Sequence, residues 1–500
     1  MVLFSLSSLI LTSFSGAALH YCMPLEKKYQ HILNTLMLFI IWCIFFKLFY
    51  DYKAHGVLIE YSAIEQRAFS VDWLSWSMIS LSILLCTLNV IYARIEDFAA
   101  KNTYYGHTYL ILGFLVSFFS TDNLFFFYIF FEAMLIPMFF LIIQWGAEDK
   151  LYAGKKFFLY TFLGSIPLLL SILFLIHAQI LTPVEHPYAL SSLKSLHLPR
   201  TQQIILAAAT ALAFFIKLPL WPVHSWLPLA HTQAPTGGSV YLAAIFLKVG
   251  AYGLLKITLP ACPQGLWTLS PFLKILSIIS ICYFGLITIV QKDMKRLVAS
   301  SSIVHMGIVS LGLCLLADAA VKDDFKTFAL LFDGLVFQML AHGLISSALF
   351  FCIGMLYRRS HSRLILDYGG LADLMPFLAA FMSFFALANS ALPGTAGFVG
   401  EFLVILGAFQ LEPVIGLIAC TSILFNAAYN LNLIKRLFYG SIRNKSGVIF
   451  DDCLMEEKII LGLLAFLILL LGICPFLVTE PLGALSMQIF QGLHRELQSL

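Results

Sequence analysis

Four ionisable residues stand inside long apolar runs: Glu132 in YIFFEAMLIPMFF, Lys217 in LAFFIKLPLW, Lys248 in LAAIFLKVGAYG and Glu401 in GFVGEFLVI. A charged side chain at mid-membrane costs about 2.5–3.5 kcal/mol on insertion scales, so such residues face a bundle interior or a wet cavity. Four histidines accompany them. His305 lies in SSSIVHMGIV, His342 in FQMLAHGLISS, and His224 and His231 follow Lys217 in equal steps. Carboxylate, amine and imidazole together can move protons. Desolvation favours the neutral form of a lysine, and a neighbouring carboxylate favours the charged form. A Glu–Lys pair whose separation or hydration changes therefore takes up and releases a proton. Glu132 with Lys217 reads as such a switch, with Lys248 and the histidines as a lateral path and Glu401 as its end. The competing reading is structural: buried ion pairs, and histidines that hydrogen-bond between membrane helices.

The other charges read differently. Asp72, Asp122 and Asp293 look like caps or loop contacts, and Asp333 is deep enough to stay open. Lys47 and Lys435 stand near helix ends, where a lysine snorkels to the interface. The Phe-rich run at 118–131 and the pair Trp221 and Trp226 read as lipid-facing or interfacial filler.

The elements that position these residues must be membrane helices. Of 500 residues, 60% are apolar and 11% are charged, against about 25% charged in a soluble domain. This deficit excludes an ordinary cytosolic enzyme, a disordered chain and an extended nucleic-acid binder. Net charge is +3, so no basic footprint for nucleic acid exists. The cysteines are scattered with no CxxC, and GxGxxG, a Walker loop and HExxH are missing from the sequence. No metal or cofactor site is expected in this chain. The sequon Asn444-Lys445-Ser446 is a short match of a kind common by chance.

Spanning takes about 20 apolar residues, and about fourteen such segments can be placed. The first, 1–19, reads as a retained helix rather than a signal peptide, since it lacks a basic start. The fold class is an all-α polytopic membrane protein. Segment 7 (201–231) is interrupted by Pro219, Pro222 and Pro228, and segment 12 (374–410) by Pro393, Gly394 and Gly397. Proline removes a donor and frees a carbonyl, and broken helices occur in membranes where protein or water surrounds them. Segments 4–8 and 9–13 form two equal sets with the break fourth in each, which predicts two inverted five-helix repeats. The expected domains are 1–106, an N-terminal three-helix region; 107–258 and 269–440, the repeats; and 441–500, a C-terminal helix and tail. Loop basic residues, among them Lys155, Lys156, Lys292, Lys295, Arg296, Arg358, Arg359 and Arg363, place both termini on the outer side.

At these residues a resemblance becomes close. KLPLWPVHSWLPLAHTQAPTGGSVYLAAIFLKVGAYGLLK at 217–256 resembles the signature of the proton-pumping membrane chains of respiratory complex I and the related multisubunit cation/proton antiporters. So do NLFFFYIFFEAMLIPMFFLI at 123–142, QKDMKRLVASSSIVHMG at 291–307, QMLAHGLISSALFFCIGMLYRRSHSR at 338–363 and LPGTAGFVGEF at 392–402. The resemblance implies Glu132 and Lys217 as a first-repeat pair, Lys248 as central relay and Glu401 as terminal acid, where sister chains carry lysine. His224, His231, His305 and His342 match positions along the hydrophilic axis. Arg358 departs from the family, which often has an acid there; this puts a local interface contact in doubt.

The implied function is proton translocation driven by electron transfer from NADH to ubiquinone in other subunits. NAD, FMN, iron–sulfur clusters and ubiquinone would then sit in partner subunits. Implied partners are the other membrane-arm subunits, especially the sister antiporter-like chains 5 and 2, and lipids such as cardiolipin, with no nucleic acid. Two alternatives stay open: a cation/proton antiporter subunit, and a scaffold that only packs a membrane arm. The expected location is the mitochondrial inner membrane, favoured by 46 Phe residues with T-rich codons. A bacterial plasma membrane is the alternative.

Overall fold

A computed structural model describes residues 5–23, 26–55, 58–61, 67–96, 98, 100–182, 186–442 and 450–498. The sequon at Asn444 lies outside them. The chain divides into two compact units, residues 1–198 with 233–238, and residues 199–232 with 239–500.

The first unit holds helices α1 (Leu6–Cys22), α2 (Lys27–His55), α3 (Trp73–Ile95), α4 (Lys101–Ser120), α5 (Leu124–Ala133), α6 (Leu135–Trp145) and α7 (Lys150–Leu181). Helix α4 is central, packed by α1, α3, α5 and α6, while α7 covers α5 and α6. Its phenylalanines explain part of this. Phe118, Phe119, Phe127 and Phe131 are fully buried, with Phe118 and Phe127 centroids 4.5 Å apart. The expectation that they are lipid-facing filler is corrected: rings from two successive helices fill the core between them. The exposed apolar side chains are instead Phe125 and Phe126 and, on the outer face of α7, Leu159, Leu163 and Leu170.

Between α2 and α3, β1 (Leu58–Tyr61) and β2 (Arg67–Val71) form an antiparallel strand pair. It closes the N-terminal end of α1, whose free amides need acceptors. The Glu60 carboxylate accepts the N–H groups of Leu6 and Ser7 and, at 2.7 Å, the Ser7 hydroxyl. Asp72 caps α3 through Ser75 N–H at 3.0 Å. Asp122 accepts from Ser191 N and Oγ at 3.0 and 2.8 Å. Both are the cap and loop contacts the sequence suggests. Lys47 bonds to Asp51 at 2.5 Å within its own helix, so its charge is met one turn away.

The second unit comprises α8 (Arg200–Lys217), α9 (Leu227–Gln233, up to Thr232), α10 (Thr236–Ala261, from Ser239), α11 (Pro263–Ile289), α12 (Met294–Val321), α13 (Phe325–Ser360), α14 (Pro376–Asn389), α15 (Ala396–Leu411), α16 (Pro413–Phe438), α17 (Met455–Ile473) and α18 (Phe476–Leu497). Helices α10, α12 and α13 are buried almost throughout, while α11 and α16 keep a wide exposed face. A helix apolar all round belongs inside, and these three inner helices carry Lys248, His305 and His342. Asp293 caps α12 through Arg296 N–H at 3.0 Å. At the start of α13, Asp324 accepts from Thr327 N and Oγ; those bonds hold its carboxyl below the usual carboxylate range.

Among the described residues, nine helices are long and apolar enough to cross a membrane, or ten with α17 and α18 as one bent span. Several other expected segments are helices too short for that criterion, including α14 and α15, the two halves of segment 12. The expected C-terminal tail is corrected. It is helix α18, bent 59° from α17; Pro475 stands just before its first turn, where a helix tolerates proline, and Pro481 lies inside it. Its buried stripe runs Val478, Leu482, Ser486, Phe490, Leu493 and Leu497, and Phe490 packs edge-on against Phe325 and Phe328 of α13.

Arg358 and Arg359 at the end of α13 meet Glu457 of α17 at 3.1 and 2.8 Å. Glu457 is fully buried. Arg358, out of pattern for the family, thus has an acid within its own chain. Breaking such a pair costs about 3–5 kcal/mol, because the remaining charge stays buried. Glu457→Ala should lower the temperature at which the chain aggregates out of native membranes and reduce its steady-state amount. Wild-type values for both would show that the two arginines find water instead.

Candidate functional site

The first break lies between α8 and α9. Lys217 is the last residue of α8 and is almost fully buried. A cation there meets the negative end of the helix dipole. The carbonyls freed by the break find donors, as apolar surroundings demand. Leu218 N–H donates to Phe214 O at 2.8 Å and Leu220 N–H to Phe215 O at 3.1 Å. The indole Nε1 of Trp226 donates to Ile216 O at 2.8 Å. Trp226 is therefore corrected from interfacial filler to a buried lock on the break. His224 lies within the linker, its ring 4.4 Å from that of Phe284. His231 follows on α9, fully buried and stacked on Phe350 at 4.7 Å.

Helix α10 brings Lys248 close to this break by backbone contact. A Cβ on Gly250 would stand 2.5 Å from Phe214 O, and one on Gly253 2.2 Å from the Phe214 ring. Only glycine lets the two helices meet so closely. The same helix carries a π-helical turn at Leu242–Phe246, of a kind frequent at functional sites. Beyond it the Lys248 amine donates to Ala243 O at 2.7 Å.

From Lys248 a line of ionisable groups runs across the second unit. Its Nζ is 2.6 Å from His342 Nδ1 on α13. The His342 and His305 ring centroids are 5.5 Å apart. His305 Nδ1 on α12 is 3.6 Å from Glu401 Oε2 on α15. That distance is an ion-pair separation, too long for a good hydrogen bond. Gln338 lies beside the pair, its amide nitrogen 3.3 Å from the same Nδ1. As assigned, the amide donates to a neutral ring; turned over, it would accept from a protonated one. The Nε2 atoms of both histidines are buried with no hydrogen-bond partner among the described residues.

The Lys248–His342 contact suits proton transfer. A charged amine donates to Nδ1, and a neutral amine accepts from Nδ1–H, so the bond survives in either state. Lys248 needs only one remaining proton for Ala243 O.

Glu401 is fully buried at the far end. Ser422 Oγ donates to Oε1, and Asn426 Nδ2 lies 3.3 Å from both carboxylate oxygens. Tyr429 OH donates to Asn426 Oδ1 at 2.7 Å. These α16 residues were missed in the sequence, where a serine or asparagine in an apolar run looks unremarkable. The signal was their one-face spacing. The second break, between α14 and α15, is held much as the first. Leu392 N–H donates to Leu387 O at 3.2 Å, Thr395 Oγ1 to Leu392 O at 2.7 Å, and Gly394 turns the chain at φ +86°.

The structure thus joins Lys248, His342, His305 and Glu401 in one line. Lys217, His224 and His231 belong to the same unit, at the first break, with Lys217 Nζ 6.0 Å from the centroid of the Phe246 ring on α10. Glu132 belongs to the other unit, half-buried at the end of α5, three residues before the helix restarts at Leu135 of α6. Asp333 on α13 has one buried carboxylate oxygen without a hydrogen-bond partner among the described residues. No group of three or more His, Cys, Asp or Glu suited to a metal occurs among the described residues.

Residues 121–425 match the family model described as NADH:quinone oxidoreductase/Mrp antiporter, membrane part. The NADH-quinone oxidoreductase subunit M of Rhodobacter capsulatus is 40% identical, over 86% of this chain and 83% of that protein. The NADH-ubiquinone oxidoreductase chain 4 of Marchantia polymorpha is 37% identical, over 78% of this chain and 76% of that one. A chain of respiratory complex I from Thermus thermophilus superposes with a TM-score of 0.85 at 28% identity, covering 98% of this chain and 100% of that chain.

The close approach at Gly250 gives a test of how Lys217 and Lys248 are positioned. Gly250→Val should overpack the α8–α10 contact and cost about 1–3 kcal/mol, read as a lower melting temperature of the membrane-embedded chain. An unchanged melting temperature would mean that α10 can slide away without loss.

Proposed function

The chain belongs to the NADH:quinone oxidoreductase/Mrp antiporter membrane family, and from that membership we propose how it works within complex I. It is an antiporter-like, proton-translocating membrane subunit of an NADH:quinone oxidoreductase, of the type named subunit M or chain 4. Electron transfer belongs to other subunits. The observation that carries the reading is the buried line from Lys248 through His342 and His305 to Glu401.

In this reading Lys217 loads a proton at the first break and Lys248 receives it. His342 and His305 pass it along by exchanging ring protons, with Gln338 turning to follow the charge on His305. Glu401 holds it at the end, stabilised by Ser422 and Asn426. His224 and His231 supply the approach to Lys248. Glu132 modulates how firmly Lys217 holds its proton; its support is the family resemblance and its place where a helix is interrupted. The chain itself has no redox cofactor, so coupling reaches it through charge, hydration or conformation. NAD, FMN, iron–sulfur clusters and ubiquinone are the province of partner subunits.

The finer placement is part of the same proposal. The repeats are 107–258 and 269–440, inverted with respect to each other. The neighbours in the membrane arm are the sister chains 5 and 2, with lipids such as cardiolipin between them. Both termini lie on the outer side of a mitochondrial inner membrane, for which the chain 4 relatives speak, or of a bacterial plasma membrane, for which the subunit M relatives speak.

The test uses the assembled complex in sealed vesicles. Lys217→Ala and, separately, Glu401→Gln should each remove this chain's share of NADH-driven proton uptake while the complex still assembles on native gels. Full proton uptake with intact NADH oxidation in either variant would end the role assigned to that residue. A defect confined to assembly would leave the chain as scaffold.

A further inference from the structure

A second polar seam lies between α11 and α12, away from the Lys248–Glu401 line. On α11, Ser270, Lys274, Ser277 and Ser280 fall on one face and are all buried. Facing them on α12 are Gly307, Ser310, Cys314 and Asp318. The helices touch tightly: a Cβ on Gly307 would lie 3.2 Å from Ser277 O and 3.3 Å from Ser280 Cβ.

The seam carries hydrogen bonds at three levels, and within α11 the Ser277 and Ser280 hydroxyls donate to Leu273 O and Leu276 O, both at 2.9 Å. At one end Ser280 Oγ accepts Trp221 N–H at 2.9 Å, in the linker that follows Lys217. His224 of that linker packs on Phe284, one turn along the same face. In the middle, Ser277 and Ser310 hydroxyls are 2.9 Å apart. At the other end Lys274 Nζ donates to Asp318 Oδ2 at 3.0 Å and to Glu412 Oε1. Ser270 Oγ stands 3.4 Å from the same Asp318 oxygen. Successive rungs on α11 are a helical turn apart, about 5 Å, a gap that a single water bridges.

Two features separate this seam from ordinary small-residue packing, which also uses serine and glycine between membrane helices. One lysine between two carboxylates leaves one net negative charge, so the triad has room for one more proton. Its Glu412 side chain is 37% exposed, at the end of the unit where α11 begins, α12 ends and α16 begins. The seam therefore joins a buried helix break to a group that exchanges protons with water.

We propose that this seam is a proton branch connecting the first helix break to the membrane face at Glu412, with Lys274, Asp318 and Glu412 as its terminal proton store. The proposal rests on the translocation reading above. The Trp221 amide keeps its proton and only orients Ser280; water at the break hands a proton to the Ser280 oxygen, and each hydroxyl then takes a proton from one neighbouring water or hydroxyl and gives up its own to the next, with no electron moved. The proton enters the triad on a carboxylate oxygen, loosening that carboxylate's bond to Lys274, and leaves from Glu412 to water.

The test compares variants in the assembled complex in sealed vesicles. Ser277→Ala with Ser310→Ala removes two hydroxyls with almost no change of volume. It should assemble normally, and its protons taken up per NADH should fall by at least about half of the deficit seen in Lys217→Ala. Glu412→Gln, near the surface, should give a deficit of the same kind and shift the pH dependence of proton uptake. A serine double variant that pumps as wild type, while Lys217→Ala is deficient, overturns the seam and leaves the translocation reading standing. Reduced assembly with normal proton yield in the complex that does assemble also overturns it, since packing alone would then explain the serines. If Lys217→Ala itself pumps fully, it is the translocation reading that fails.

Discussion

Charge held out of water is the constraint on which the rest of this structure depends. With so few charged residues in the whole chain, each one placed deep must be met by a partner of defined geometry, or its cost goes unopposed. Glu457 draws two arginines onto it, and Lys274 is pinned between Asp318 and Glu412. Lys248 takes a backbone carbonyl and an imidazole. Glu401 takes a hydroxyl and an amide. The two kinds of solution differ in consequence. A carboxylate met by two cations, as Glu457 is, locks helices together, whereas neutral polar partners, or a carboxylate in excess as beside Lys274, leave room for a proton to move.

The broken helices serve the same constraint. A continuous helix satisfies its own backbone and offers nothing to a neighbouring side chain. Interrupting α8 after Lys217 exposes carbonyls that Trp226 and the linker amides then take up. The polar linker that results can hand hydrogen bonds to other elements, as it does to Ser280. A polar path through an apolar bundle is thus built from local failures of helix regularity, including the π turn next to Lys248. Glycines at the closest contacts, Gly250 and Gly307, bring the helices near enough for short side chains to reach across.

Much of this was legible in the sequence. Lys248, His342, His305 and Glu401 could be singled out one by one, because a charged or titratable residue in an apolar run is rare and costly. The positions of both breaks could be read from proline and glycine. Ser422 and Asn426 of α16 could not, nor could the seam serines of α11 and α12. Such residues are uncharged and common, and only their neighbours give them meaning. Trp226 was misjudged for the same reason: an indole suits a lipid interface and a buried carbonyl equally well. The C-terminal helix was read as a tail, although its buried residues Val478, Leu482, Ser486, Phe490, Leu493 and Leu497 recur at helical spacing.

The sequence by itself determined that this is a membrane chain with interrupted helices and a small set of buried ionisable groups, since composition and periodicity are local properties that lipid tests residue by residue. Only the tertiary structure decided which of those groups meet. Helices α10, α12, α13 and α15 lie far apart in the chain, and nothing local says that Lys248 reaches His342 or that His305 faces Glu401. Those meetings follow from the packing of whole helices, where rotation about an axis by one residue, about 100°, would point each side chain elsewhere.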